Sequence, residues 1–154
     1  MHGMNPTRIL LGGLVAGLVI NVGETLLNMV VIADEMQAMI AAAGGGMTSW
    51  AMPMFITMAF VWGILFVAAY AAIRPRFGAG WQTAVIAGTT MWVVGNLLPT
   101  LGLLGMGIGA ASPALTSVAW GFFEFNLATV AGAAVYQEAR AAQLAAQAAR
   151  PPIG

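Results

Sequence analysis

The 154-residue chain contains no cysteine and no lysine, and its single histidine, His2, lies next to the first residue. Without cysteine there is no disulfide framework, no thiol nucleophile and no iron–sulfur ligand set. One histidine leaves no pair of imidazoles to hold a haem between helices. Charge is scarce as well: five Arg and five acidic residues make 6% of the chain, with a formal net charge of zero. Such a balance offers nucleic acid no basic surface, and none is expected as a partner. Hydrolytic chemistry lacks its residue sets, since there is no Ser–His–Asp or Cys–His combination, no zinc-ligand set and no phosphate-cradling loop. The glycine-rich stretch 102–109 reads as a turn. The expectation is a protein that is not an enzyme, with no cofactor and no metal; acid–base work by its carboxylates would need a bound group such as a quinone.

Apolar residues fill the space left by the missing charges, at 60% of the chain with a mean hydropathy of +0.89. That composition belongs to an integral membrane protein. Four apolar runs, 9–33, 51–73, 81–105 and 114–136, each approach the roughly 20 residues needed to cross a hydrocarbon core. Punctuation agrees with them: Asn5-Pro6-Thr7 supplies a cap and a helix-starting proline, Gly44-Gly45-Gly46 and Arg74-Pro75-Arg76 interrupt, and Ser112-Pro113 begins the last run. The reading is an all-α integral membrane protein, a single four-helix domain over 1–150 with helices at 6–43, 50–73, 80–105 and 113–149 and a short tail at 151–154. In this up-down bundle the first helix extends outward through Asp34 to Ala43, and the last extends inward until Pro151-Pro152. The first run also resembles a secretory signal behind Arg8, but its length and the want of a small-x-small cleavage site favour a retained helix.

All five arginines, Arg8, Arg74, Arg76, Arg140 and Arg150, fall on one side of that topology, whereas the other side carries Asp34 and Glu35 and no basic residue. The positive-inside rule then puts both termini in the cytoplasm, with a bacterial inner or plasma membrane as the expected location. Trp50, Tyr70, Trp81 and Tyr136 fall where interfacial aromatic belts are expected.

Two acids break the apolar pattern. Glu24 and Glu124 stand near the middle of the first and last runs, each about 15 Å inside the outer end of its helix by rise per residue. Asn96, on the third helix, comes to a similar depth of about 13 Å. An acid at membrane depth with no basic neighbour must hold a proton, capture a cation or find water. If the two carboxylates meet they titrate as a pair. Gly13, Gly17, Asn21, Glu24 and Asn28 form one small or polar stripe on the first helix, and Ser117, Gly121, Glu124, Ala128 and Gly132 form another on the last. Small residues admit close helix approach and polar ones avoid lipid, so both acids are expected inside the bundle or at an interface between copies. Asn21, Asn28 and Asn96 are the expected polar shell, and Trp120, one turn from Glu124, is an aromatic wall suited to an organic cation.

Other features carry blander readings. Pro99 leaves the Gly95 carbonyl without its donor and implies a kink beside Asn96. Thr89, Asn96 and Thr100 share a helical face, while the second helix, with only Thr57, Trp62 and Tyr70, reads as scaffold. Met36, Met39, Met47, Met52, Met54, Met58 and Met106 gather toward the outer end. Their thioethers suit Cu(I), although methionine more commonly fills apolar gaps. Asp34 and Glu35 read as a solvated helix end.

In helix count and in an acid on the first helix, the chain resembles the small four-helix multidrug exporters, in which a membrane Glu exchanges protons for cationic drugs. The resemblance implies that role for Glu24; a second acid at Glu124, a deeper position for Glu24 and long overshooting ends depart from that pattern. The expected function is binding or translocation of protons, a cation or a cationic small molecule at Glu24 and Glu124. The alternative is a non-catalytic structural or assembly subunit whose small-residue faces grip another membrane protein. Expected partners are the lipid bilayer, a proton or cationic solute, and a second copy or a membrane-protein partner.

Overall fold

A computed structural model describes residues 4–148, with side chains described as far as Tyr136. His2, Arg150 and the Pro151-Pro152 stop lie outside the described residues. All regular structure within them is helical: α1 (Pro6–Leu26), a wide π turn (Leu27–Val31), α2 (Ala33–Ala42), α3 (Ala51–Phe77), α4 (Trp81–Trp92), a second π turn (Val93–Leu97), α5 (Leu98–Gly105) and α6 (Ala111–Ala148). Four stretches are long and apolar enough to cross a membrane: Pro6–Val31, Ala51–Phe77, Trp81–Gly105 and Ala111–Tyr136, here spans 1 to 4.

The helix ends follow local chemistry. Asn5 caps α1 by accepting the Arg8 N–H at 3.3 Å, and Pro6 occupies the first turn, where its missing N–H costs nothing. The expected stop at residue 73 is wrong: α3 runs through Arg74-Pro75-Arg76 to Phe77. A proline in the last turn withdraws only one donor, and the turn ends at Gly78, whose φ of 87° an L side chain rarely adopts. The expected unbroken helix over 6–43 is also corrected. It widens at Leu27–Val31 and breaks at Ile32 (φ −120°, ψ 32°) before α2 begins. Asn28, inside that turn, places its amide on the Glu24 carbonyl, a competition with the backbone ladder that loosens helices. Span 3, expected as one helix over 80–105, is divided by its own π turn immediately before Pro99. Widening there relieves the clash between the proline ring and the carbonyl one turn back.

Neighbouring spans run antiparallel and meet through glycine. A Cβ placed on Gly13 would fall on the Ile64 backbone, and one placed on Gly17 would fall on Phe60; Gly63 faces the backbones of Gly13 and Gly17 in return. Gly12 and Gly132 meet in the same way between spans 1 and 4. Close approach of backbones is how membrane helices associate when lipid removes the hydrophobic drive between them. The core is aromatic at its centre, where Phe66 and Phe125 stand 4.7 Å apart with Trp62 beside both. At the end carrying the arginines, Tyr70 and Tyr136 cross edge to face at 6.0 Å, and Arg74 lies over the Tyr136 ring at 5.6 Å. Both tyrosines are buried, so the interfacial belt read from the sequence reduces to Trp50 and Trp81, which are exposed. The Tyr70 hydroxyl accepts the Gly80 N–H and so ties the connection between spans 2 and 3 to the core.

Candidate functional site

Glu124 projects from span 4 into the bundle and is only 5% exposed. Its Oε2 accepts the Trp120 Nε1–H at 2.8 Å, a bond one helical turn long, and its Oε1 is buried without a hydrogen-bond partner. The carboxyl lies against Gly23 of span 1, where an added Cβ would come within 2.7 Å of the carboxyl carbon. A methyl there would require the carboxyl to shift. That contact brings the Glu124 carboxylate to the residue preceding Glu24. The equal depth expected from rise per residue is therefore met by an actual approach of the two chain regions.

Glu24 is half-buried, and its Oε2 accepts from Asn28 Nδ2 at 2.8 Å while the same amide also donates to the Glu24 carbonyl at 2.8 Å. Asn96 approaches span 4 one turn along from Glu124. Its amide lies against Gly121, where an added Cβ would sit 2.8 Å from Nδ2, and its Oδ1 is buried without a partner. Both π turns thus carry an asparagine of this polar layer, Asn28 in one and Asn96 in the other. Asn21 stands apart from them. Its Nδ2 donates to the Gly17 carbonyl at 2.9 Å and reaches the Ile56 carbonyl at 3.4 Å, joining spans 1 and 2.

Several other polar groups spare the apolar medium an open donor. Thr25, Thr57, Thr90, Thr116 and Thr129 each donate to the carbonyl four residues back. Trp92 Nε1 donates across to the Val118 carbonyl at 2.9 Å. Thr89 donates to Asn126 Oδ1 at 3.1 Å, a bond between spans 3 and 4 in which Asn126 carries no signal in the sequence beyond its polarity. Gly23, which makes room for Glu124, is likewise unmarked except as a glycine next to an acid, whereas Gly121, which makes room for Asn96, belongs to the small-residue stripe of the last helix. Among the described residues the arginines stand at helix ends away from the layer: Arg8 is in the first turn of α1, and Arg74 and Arg76 are in the last turn of α3. Asp34 and Glu35 are exposed in the first turn of α2. Met39, Met47, Met52, Met58 and Met106 of the outer methionines are exposed. Among the described residues, no three His, Cys, Asp or Glu side chains converge as a metal cluster.

Four apolar spans around a layer of carboxylates and amides define a small multi-pass α-helical membrane protein. Comparison with protein-family models, with curated proteins and with solved structures returned no match.

Proposed function

We propose that this protein exchanges protons for a small cationic species at Glu24 and Glu124, with both termini in the cytoplasm. The observation carrying this reading is Glu124 itself, 5% exposed, with one carboxyl oxygen unpartnered and its carboxyl packed on Gly23, the residue before Glu24. A charge-capable group in that setting is costly to keep unless something mobile neutralises it. Asn28 and Trp120 hold one oxygen of each carboxyl by donated hydrogen bonds, which leaves the other oxygen of each to accept a proton or a cation. The orientation rests on the one-sided placement of the arginines.

The test is reconstitution into liposomes carrying an internal pH dye, with proton release or flux compared among the wild type, Glu24→Gln and Glu124→Gln. Glutamine keeps the shape and an acceptor for Asn28 or Trp120 but cannot titrate. Loss of flux in either variant with helicity retained is the expected result, and unaltered flux in both would end the proposal.

A further inference from the structure

Two buried oxygens of the polar layer, Asn96 Oδ1 and Glu124 Oε1, have no hydrogen-bond partner. They are attached one turn apart along span 4, Glu124 by covalent bond and Asn96 through its contact with Gly121. An unmet buried acceptor costs about 1–3 kcal/mol, and what satisfies an acceptor is an electrophile. Ligand atoms of this kind, a carboxylate and an amide oxygen, suit hard cations. In membrane helices, unwound carbonyls beside polar side chains are a recurrent setting for sodium or a proton.

Shape and charge narrow the ligand further. Trp120 turns its N–H to the carboxyl; because that bond lies in the ring plane, the ring face that an organic ammonium ion needs is not over the acid. The aromatic wall expected from the sequence is thus a hydrogen-bond donor here. Glu24 is only half-buried and gives one oxygen to Asn28, so the buried free oxygen of Glu124 is the principal anionic ligand, matched to a single positive charge.

We infer that Glu124 Oε1 and Asn96 Oδ1 are ligands of a monovalent inorganic cation such as sodium, which competes with a proton for Glu124. The inference rests on the exchange reading of the same carboxylates. On binding, the Glu124 carboxyl releases its proton to water and becomes a carboxylate paired with Na⁺, so the charge of the site is unchanged. Asn96 supplies a neutral oxygen, and Trp120 fixes the other carboxyl oxygen as a positioning residue.

The experiment is thermal unfolding of the full chain in detergent at constant ionic strength, with NaCl replacing N-methylglucamine chloride over a range of pH. The expected result is a saturable rise in Tm whose half-point falls by about tenfold in Na⁺ for each pH unit while one proton is displaced. The rise should vanish in Glu124→Gln and need at least about tenfold more Na⁺ in Asn96→Leu, a loss of about 1.4 kcal/mol. Absence of a Na⁺-specific rise in the wild type, or an equal rise with choline chloride, overturns the inference whatever the variants do. If Na⁺ is inert while proton release in liposomes persists and depends on Glu124, the exchange reading survives without sodium. If proton release fails too, both fall.

Discussion

At the scale of single residues, the two glycines beside the acid layer matter more than their size implies. Gly23→Ala puts a methyl 2.7 Å from the Glu124 carboxyl carbon, which is the far end of a flexible side chain and can move. Overpacking of that sort costs about 1–3 kcal/mol at a rigid site. Here the movable carboxyl reduces the cost, and the gain of about 0.5–1 kcal/mol from replacing a helix-interior glycine offsets the rest. We expect Gly23→Ala to melt within a few degrees of the wild type while proton exchange is clearly impaired; unchanged exchange would show that the Gly23 contact does not position the carboxyl. The approach of Glu124 to the stretch of span 1 that carries Glu24 agrees with a similar depth read from rise per residue. The partner of each was only half legible. Asn28 and Trp120 lie one turn from their acids and follow from helix geometry, whereas the orientation of Asn96 depends on a π turn with no sequence signature apart from Pro99.

At the scale of elements, the stripe of Gly13, Gly17, Asn21, Glu24 and Asn28 divides in the structure. Gly13, Gly17 and Asn21 turn to span 2, while Gly12 and Gly23, off the stripe, make the contact with span 4. A helix with two neighbours buries a sector wider than one line of residues, and spacing by threes and fours cannot say which edge meets which neighbour. The same limit hid the inward turn of Tyr70 and Tyr136, since an aromatic near a span end is equally at home in an interface or in a core. Gly63 gives the sharpest test of the seam between spans 1 and 2. A Cβ there meets the backbones of Gly13 and Gly17, which cannot swing aside as a side chain does. Gly63→Ala should therefore destabilise by about 1–3 kcal/mol, read as a lower unfolding midpoint in detergent. A melting curve like that of Gly23→Ala would mean that the seam is not rigid.

At the scale of the whole molecule, the fold class, span count and approximate span limits were readable from apolar runs bounded by Gly, Pro and Arg. The breaks at Ile32 and before Pro99 were not, because hydropathy is blind to a turn that widens within an apolar run. Orientation is open to a direct measurement that the composition makes simple, since the chain has no cysteine of its own. Thr48 and Ala79 are both exposed, in the connections on either side of α3 and therefore at opposite ends of the bundle. Thr48→Cys should react with a membrane-impermeant maleimide from outside intact cells and Ala79→Cys only after permeabilisation; the reverse pattern would invert the orientation. Purification from native membranes bears on the assembly alternative, because a second protein at constant ratio would favour a subunit role and a lone oligomer would favour exchange.

The glycine contacts of Gly12, Gly13, Gly17, Gly63 and Gly132 run from the middle of spans 1, 2 and 4 to the end that carries Arg8 and Arg74, and the π turn of span 1 lies beyond them toward the other end. Main chain resting on main chain has no rotamer to change, so that half can part only by moving entire helices. The opposite half keeps slack in the widened turn of span 1. If the exchange proposed for Glu24 and Glu124 takes place, the main-chain contacts act on it like the spring of a clothes-peg, and entry from the jaws, the face away from the arginines, would require the least movement.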